Sequence, residues 1–271
     1  MRNGEIYATM SYKLIREAKG FLFDLDGVFI QSKKLLPGAL RTIQILKRRK
    51  IPFRFLTNTT TKSKKTLYTQ LNDLGIRCKV EHIFSAGYSG IKIIKEMGNP
   101  TCRLYISKDL KEDYQTCNFD NLNPQLIVIG DYKSWNLNLL NQAFNYVMNG
   151  AQILALHVGK YYKTDSGLKL DAGAIVKGLE YATNKKAIVV GKPNSLFFKQ
   201  ALNDLNLAPS KVLMVGDDLY NDIYGALKLK IKGVLVKTGK YNQITLENEN
   251  LKPEVIIDSI DHFADILNSR E

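Results

Sequence analysis

The chain has 271 residues, 45% of them hydrophobic, which predicts a folded globular protein with one large or two ordinary domains. Its three cysteines, Cys78, Cys102 and Cys117, are an odd number without metal-ligand spacing, so a disulfide framework and a zinc site are both disfavoured. No apolar stretch is long enough for a membrane span or a secretory signal. We therefore expect a soluble cytoplasmic protein with free thiols and no membrane partner.

The formal net charge of +13 permits nucleic acid, an anionic membrane surface or small acidic ligands as partners. Lysines and arginines at positions 47–50 close a predicted helix, where cations suit the negative end of the helix dipole. No nucleic-acid-binding motif accompanies the basic runs. We therefore expect the basic residues to lie on solvated faces and no nucleic acid to bind.

The first half of the chain begins with a polar leader of about twenty residues. The apolar run at 21–24 then predicts a strand, and residues 37–50 predict a helix because Leu40, Ile43 and Leu46 recur at helical spacing. A second apolar run at 52–58 predicts another strand. Together these elements predict a βαβ unit.

The same alternation returns late in the chain. Apolar runs at 187–193, 211–218, 232–236 and 254–258 predict strands, and helix-length segments separate them. Near-continuous apolar strands joined through helices are typical of a parallel sheet covered on both faces. Ligands of such sheets bind beyond the carboxyl ends of the strands.

Positions 58–191 hold far more chain than a single crossover needs. Within them we predict strands at 104–106, 126–129 and 153–156, and helices at 137–149 and 172–183. The predicted fold class is α/β: a doubly wound, Rossmann-like parallel sheet core with an inserted second α/β cap domain. The predicted limits are 1–86 with 188–271 for the discontinuous core and 87–187 for the cap.

Polar residues follow four of the predicted strands: Asp24 and Asp26, Thr57 and Asn58, Lys192, and Asp217 and Asp218. If all four strands belong to one parallel sheet, these side chains converge at one edge of it. Two carboxylates about 4 Å apart repel by roughly 4 kcal/mol at an effective dielectric constant of 20, so the first pair requires a shared proton or a cation. A third carboxylate disfavours the shared proton, and an oxygen-only ligand set favours Mg²⁺.

A magnesium ion beside a lysine and a hydroxyl group is a site for phosphate, since phosphoryl transfer depends mainly on positioning and charge neutralisation. Asp24 can then act as a nucleophile that forms an aspartyl phosphate. Asp26 can protonate the leaving oxygen and afterwards activate water.

The ordered motifs DLDGV (24–28), LTN (56–58), GKP (191–193) and GDDLYND (216–222) resemble those of the haloacid dehalogenase superfamily of phosphatases. The flanking segments 36–46, 171–193 and 214–226 are similar to its NagD-like branch, in which a large α/β cap lies between the second and third motifs. Within that branch they resemble the phospholysine phosphohistidine inorganic pyrophosphate phosphatase group and its haloacid-dehalogenase-domain relatives. The resemblance covers residues 20–241.

The resemblance implies a Mg²⁺-dependent hydrolase of phosphate esters or phosphoanhydrides, with a small phosphorylated substrate and a homodimer formed through the cap. It implies the following roles: Asp24 as nucleophile and metal ligand, Asp26 as acid/base that also offers the metal its backbone carbonyl, Thr57 and Asn58 as phosphate contacts, Lys192 as the cation at nucleophile and phosphate, Asp217 as metal ligand, and Asp222 and Asp218 as outer-shell groups. Thr59 departs from the family, where a second asparagine is common, and this leaves one loop contact open.

Three other functions stay open at this point. A phosphotransferase or mutase would use the same intermediate with a hydroxyl acceptor. A phospho-accepting switch would also use acidic residues, a threonine and a lysine on a parallel sheet, but Asp26 favours rapid dephosphorylation. A non-catalytic basic protein that binds nucleic acid is the last alternative.

Overall fold

The computed structural model describes residues 12–164, 167–248 and 252–269. The predicted polar leader is therefore described only from residue 12, where residues 12–17 are helical, and its first eleven residues lie outside the described ranges. Cys78, Cys102 and Cys117 are buried free thiols, as predicted. In the described ranges, no helix combines the length and apolar character that a bilayer span requires.

The strands, numbered in chain order, are β1 Gly20–Asp24, β2 Ile30–Gln31, β3 Lys34–Leu35, β4 Phe53–Thr57, β5 Ile83–Ser85, β6 Cys102–Tyr105, β7 Leu126–Ile129, β8 Gln152–Ala155, β9 Tyr161–Thr164, β10 Gly167–Leu170, β11 Ile188–Val189, β12 Val212–Gly216, β13 Lys232–Val236 and β14 Val255–Ile257.

The α-helices are α1 (12–17), α2 Ala39–Arg48, α3 Lys64–Asp73, α4 Ala86–Glu96, α5 Leu137–Met148, α6 Ala172–Thr183, α7 Ser195–Leu205, α8 Gly225–Leu227, α9 Gln243–Asn248 and α10 Ile260–Asn268. A π-helical turn spans Leu219–Tyr224, and 3₁₀ turns span Val80–His82, Leu110–Tyr114 and Pro209–Lys211. The predicted helical start at Pro37 is wrong, because Gly38 has a φ of 80°, outside the helical range, and the helix begins at Ala39.

The chain divides into two compact units, the first holding residues up to Thr57, Tyr68–Phe84 and Phe198 onward. Its six-stranded sheet has the order β14-β13-β12-β1-β4-β5. β1 pairs in parallel with β12 and β4, and every residue of β1 and β12 is buried. Strands buried along their whole length require cover on both faces, which confirms the predicted doubly wound α/β core.

The second unit holds Asn58–Leu67 and Ser85–Phe197. Its four-stranded sheet has the order β11-β8-β7-β6, with parallel pairs throughout, and β9 and β10 form a separate antiparallel hairpin. Aliphatic residues of β7 and β8 pack against α5 and α6 around the buried ring of Tyr105. The content of a second α/β unit is thus confirmed, whereas the predicted limits at residues 87 and 187 stay a prediction.

One strand assignment from the sequence is wrong. β11, which precedes Lys192, pairs with β8 in the smaller sheet and not with a strand of the six-stranded sheet. The run is apolar, as a core strand would be, but only Ile188 and Val189 pair, through Leu154 and Ala155. An apolar run indicates a strand but does not indicate the sheet to which that strand belongs. The sequence pattern therefore could not distinguish the two sheets.

Candidate active site

The first acidic residue lies where the strand order of the six-stranded sheet reverses. From β1 the chain continues to β4 and β5 on one side, whereas β12, β13 and β14 lie on the other. Asp24 ends β1, opposite Leu56 of β4, and the neighbouring pair joins Phe23 to Val215 of β12. The carboxyl ends of strands at such a reversal form the usual ligand crevice of open α/β sheets.

Three carboxylates meet in this crevice. Asp24, Asp217 and Asp222 each offer an oxygen, these atoms all lie within 4.8 Å of one another, and the side chains are 8%, 1% and 0% exposed. At 4.8 Å each ionised pair repels by about 3.5 kcal/mol at an effective dielectric constant of 20. Such a buried group is a favourable site for a hard cation and an unfavourable one without compensation.

The carboxylate of Asp217 is enclosed by backbone. A Cβ atom built on Gly27 would come within 2.0 Å of its Oδ2 atom, and one built on Gly239 within 1.9 Å. Both glycines have positive φ angles, 89° and 58°. The backbone N–H of Lys240 donates a hydrogen bond to Oδ2 over 2.7 Å. The approach of two chain segments to one carboxylate explains why neither position accommodates a side chain.

Asp222 reaches the crevice through the π-helical turn Leu219–Tyr224. The N–H of Ile223 points to the carbonyl of Asp218, five residues earlier, at 3.4 Å, and this wider turn directs Asp222 back toward the strand end. Its Oδ2 accepts from the N–H of Asp218 at 3.2 Å. A Cβ on Gly216 would lie 2.4 Å from the Asp222 side chain, so the strand end leaves room for it.

Asp218 caps the same turn and does not belong to the three-carboxylate cluster. Its Oδ1 accepts from the N–H groups of Tyr220 (3.1 Å) and Asn221 (2.9 Å), and its Oδ2 accepts from Lys240 Nζ at 3.2 Å. Burial alone would raise the pKa of Asp218, but the hydrogen bonds from Asn221 and the charge of Lys240 outweigh it, and the pKa is lowered. Asp218 therefore stays ionised and fixes the turn that carries Asp222.

Asp26 and Thr57 occupy contrasting environments. Asp26 is solvent-exposed and follows the strand, where its backbone bridges to Ile30 and the N–H of Gly27 donates to the Ile30 carbonyl at 2.7 Å. Thr57 is 3% exposed and ends β4. Among the described residues, the clustered carboxylates do not include that of Asp26.

Asn58 and Lys192, both in the second unit, are joined by two hydrogen bonds. The Asn58 side chain donates through Nδ2 to the Lys192 carbonyl (2.9 Å) and accepts through Oδ1 from the Lys192 N–H (2.8 Å). Lys192 itself is only 5% exposed. The side-chain amide of Asn58 is thus engaged by both backbone groups of Lys192.

The segment after β13 is a part of the site that sequence reasoning missed. Thr238 donates through Oγ1 to the Gly27 carbonyl, Gly239 packs on Asp217, and Lys240 supplies the N–H described above. The charges of Asp218, Asp24 and Asp217 raise the pKa of Lys240 despite its burial. The sequence does contain a pattern that could have identified this segment. The residues Thr-Gly-Lys follow just after a strand, as the other site residues do.

Comparison with known proteins agrees with this geometry. Residues 21–120 match the model of the haloacid dehalogenase-like hydrolase family, and residues 189–263 match a second, HAD-hydrolase-like model. The chain belongs to the haloacid dehalogenase-like hydrolase family. The two matched segments contain Asp24, Asp26, Thr57, Asn58, Lys192, Asp217, Asp218 and Asp222.

Relatives of this hydrolase align along nearly the whole chain. Haloacid dehalogenase-like hydrolase domain-containing protein 2 of Mus musculus is 36% identical over 92% of this chain and 96% of its own length. Phospholysine phosphohistidine inorganic pyrophosphate phosphatase of Danio rerio is 33% identical over 97% of this chain and 99% of its own length. The resemblance predicted from the four motifs is confirmed.

Solved structures of the family share the fold. The 4-nitrophenylphosphatase of Thermotoga maritima has a TM-score of 0.87 and 25% identity, covering 94% of this chain and 99% of its own. NagD of Escherichia coli K-12 has a TM-score of 0.83 at 21% identity, covering 90% and 97%. The predicted core with an inserted α/β unit is therefore confirmed as the architecture of this hydrolase.

Proposed function

We propose that this hydrolase is a Mg²⁺-dependent phosphatase that acts on a small phosphorylated metabolite or on pyrophosphate through an aspartyl phosphate. The observation that carries the proposal is the buried cluster of Asp24, Asp217 and Asp222 at the strand-order reversal. The names of the relatives support phosphate as the transferred group, because both the pyrophosphate phosphatase and the nitrophenylphosphatase are phosphatases.

The donor set fits magnesium. Carboxylate oxygens from three buried aspartates are hard ligands, and magnesium also retains waters. Asp24 and Asp217 would hold the ion, with the Asp26 backbone carbonyl as the further protein ligand that the family resemblance implies, and Asp222 would orient it. When bound, the ion neutralises the cluster and the negative charge of the phosphoryl oxygens.

Two side chains, those of Asp24 and Asp26, would carry out the covalent and proton-transfer steps. A carboxylate oxygen of Asp24 attacks phosphorus, the bond from phosphorus to the leaving oxygen breaks, and the Asp26 carboxyl group gives that oxygen its proton. The Asp26 carboxylate then takes a proton from water, which attacks the acyl phosphate and releases inorganic phosphate and Asp24. Thr57 and Lys192 would contribute a hydroxyl and a positive charge to the phosphate.

The remaining features of the proposal come from the sequence and the family. We assign residues 1–86 and 188–271 to the catalytic core domain and residues 87–187 to the cap, which would determine the leaving group. We also propose a cytoplasmic location, a homodimer through the cap and no nucleic-acid partner.

Phosphate release by the purified protein tests this function. A panel of phosphorylated metabolites that includes pyrophosphate and a phosphoamide is expected to contain substrates turned over with Mg²⁺ and not with EDTA. Asp24→Asn is expected to abolish turnover, whereas Asp258→Asn, at a side chain that is 72% exposed, is the matched control and should leave it unchanged. Wild-type turnover in Asp24→Asn would refute the mechanism, and transfer to an added alcohol in place of water would identify a phosphotransferase.

A further inference from the structure

The amino-terminal edge of the six-stranded sheet is strongly basic. The strands β14, β13, β12, β1 and β4 pair in parallel, so all five begin at the edge opposite the carboxylate cluster. The segments that lead into them, together with the first residue of β13, contain eight lysines and arginines and two acidic residues. These segments are residues 18–19, 49–52, 206–211, 228–231 and 249–254. We call this surface the basic edge.

The lysines of neighbouring strands lie side by side along the basic edge. The N–H of Lys19 donates to the carbonyl of Lys211 at 2.8 Å, where β1 and β12 begin. Lys232 of β13 is paired with Leu213, two residues after Lys211, and Lys50 precedes β4, the other neighbour of β1. Because neighbouring strands lie about 4.8 Å apart, the row of cations extends for about 19 Å across five strands.

The ammonium groups of this row face solvent. Lys19, Lys50, Lys211, Lys230 and Lys232 are all exposed. Over the ranges that the structure describes, none of the five takes part in an ion pair. Their positive charges therefore remain available to a partner.

Acidic residues of the adjoining helices do not cancel this charge. Glu17 of α1 pairs with Lys13 at 3.7 Å, and Asp204 of α7 pairs with Arg54 at 2.6 Å. Glu247 adds one negative charge near the end of α9. The last turn of α2 outweighs it, since Lys47 and Arg48 add two positive charges there.

Helix dipoles compensate only part of the surplus. The helices α1, α2, α7, α8 and α9 end at the basic edge, and each helix end presents about half a negative charge. Five such ends together offset about 2.5 elementary charges. The segments themselves carry a surplus of six positive charges, so more than half of it remains. A surface of this kind attracts an anionic partner.

The side chains of the basic edge favour carboxylates over nucleic acid and lipid. Its segments contain no aromatic residue on which bases could stack. Arg49, their one arginine, donates to the Leu267 carbonyl at 2.5 Å, so its guanidinium group is not presented to a phosphate. Among the residues described in these segments, none offers an exposed large apolar side chain that could enter a bilayer.

We propose that the basic edge binds an acidic segment of a partner protein, a run of aspartate and glutamate residues in extended conformation. About six residues of extended chain span the row of cations, which brings successive carboxylates to successive lysines. The site goes beyond the proposed phosphatase reaction and does not rest on it, since Asp24 lies at the other end of β1.

Fluorescence anisotropy of labelled deca-glutamate, titrated with the full-length protein, tests the proposal. Deca-glutamine has the same length without the charge and should not bind, and raising NaCl from about 0.05 to 0.2 M should raise the Kd for deca-glutamate about tenfold. Decauridylate should bind more weakly than deca-glutamate, and vesicles of phosphatidylcholine and phosphatidylserine should not sediment the protein. Asp24→Asn should bind deca-glutamate as the wild type does, so this result is separate from any failure of the catalytic proposal.

Variants locate the site. Lys19→Gln combined with Lys211→Gln should raise the Kd for deca-glutamate about fivefold. Lys185→Gln combined with Lys186→Gln removes the same charge from two adjacent exposed residues of the second unit, and this matched control should change the Kd less than about twofold. Equal effects of the two double variants, or equal binding of deca-glutamate and deca-glutamine, would overturn the proposal. Tighter binding of decauridylate, or sedimentation with the vesicles, would also overturn it and would identify nucleic acid or lipid as the partner.

Discussion

Asp222→Asn should raise stability without magnesium and reduce the stabilisation that magnesium provides. The variant keeps an oxygen that can accept from the Asp218 N–H, and it removes two of the three repulsive pairs in the cluster. Each pair is worth about 3.5 kcal/mol at an effective dielectric constant of 20, which gives a ceiling of about 7 kcal/mol. The positive charge of Lys240 and ionic screening reduce this, and we expect a gain of about 1–3 kcal/mol in the free energy of unfolding without Mg²⁺.

With Mg²⁺ at about 100 times its Kd, the wild type should gain about 2.7 kcal/mol because the ion binds the folded state. The variant should lose most of that gain, since one of the clustered carboxylates is absent. Urea unfolding in EDTA and in Mg²⁺ measures the gain without magnesium and the smaller magnesium response, and at about 2 °C per kcal/mol the Tm should show the same two changes.

Asp258→Asn provides the control, because this exposed carboxylate pairs with Lys237 on the surface and should change stability by less than about 0.5 kcal/mol in either condition. Two results would refute the reasoning: a loss of stability of Asp222→Asn in EDTA, or a magnesium response equal to that of the wild type. Either would mean that the cluster is neutralised within the protein and does not attract the cation.

Three further predictions concern residues around the site and the sheet. Gly27→Ala should lower the free energy of unfolding by more than about 2 kcal/mol and weaken the magnesium response, because its methyl group would meet Asp217 Oδ2 at 2.0 Å. Asn58→Ala should lower kcat about tenfold with little change in overall stability, because the Lys192 backbone loses both hydrogen bonds, as steady-state kinetics would show. His82→Phe should remove part of the acid sensitivity of folding: burial first, then nearby cations, lower the pKa of His82 from 6.5 to about 4, so its contribution is complete above pH 6.5 and lost as the pH falls toward 4.

Each of these predictions has a control or a contrary result. Gly98→Ala has a similar φ of 84° with open space around it, so it should share the backbone strain of Gly27→Ala and leave the magnesium response intact. A normal kcat in Asn58→Ala would show that Lys192 needs no such support. For His82, partial exposure reduces the effect to about 1–2 kcal/mol, and identical pH profiles of variant and wild type in urea unfolding would contradict it.

The sequence predicted five strands of the six-stranded sheet, β1, β4, β12, β13 and β14, because each is a continuous apolar run, but it did not predict β5. β13 was predicted with its exact observed limits at Lys232–Val236, and β7 and α6 likewise at Leu126–Ile129 and Ala172–Thr183. Such segments combine a strong period with clear end signals, so local pattern and tertiary environment agree.

Other features depend on contacts that no local pattern contains. The direction of the Asp222 side chain follows from a π-helical turn, and a helix predicted from Ile223 and Leu227 does not reveal the extra residue in that turn. Asn58 is engaged with Lys192, a residue far away in the chain. Gly239 is defined by its approach to Asp217, which requires the strand order to be known.

The most direct test of the account is to identify the residue that carries the phosphoryl group during turnover. The protein is mixed with excess 4-nitrophenyl phosphate and Mg²⁺, quenched in the steady state and treated with borohydride, which reduces an acyl phosphate to an alcohol. Peptide mass spectrometry should then find homoserine in place of Asp24 and unmodified aspartate at positions 26, 217 and 222. Continued turnover with no reduced residue at position 24, or reduction at another aspartate, would contradict the account.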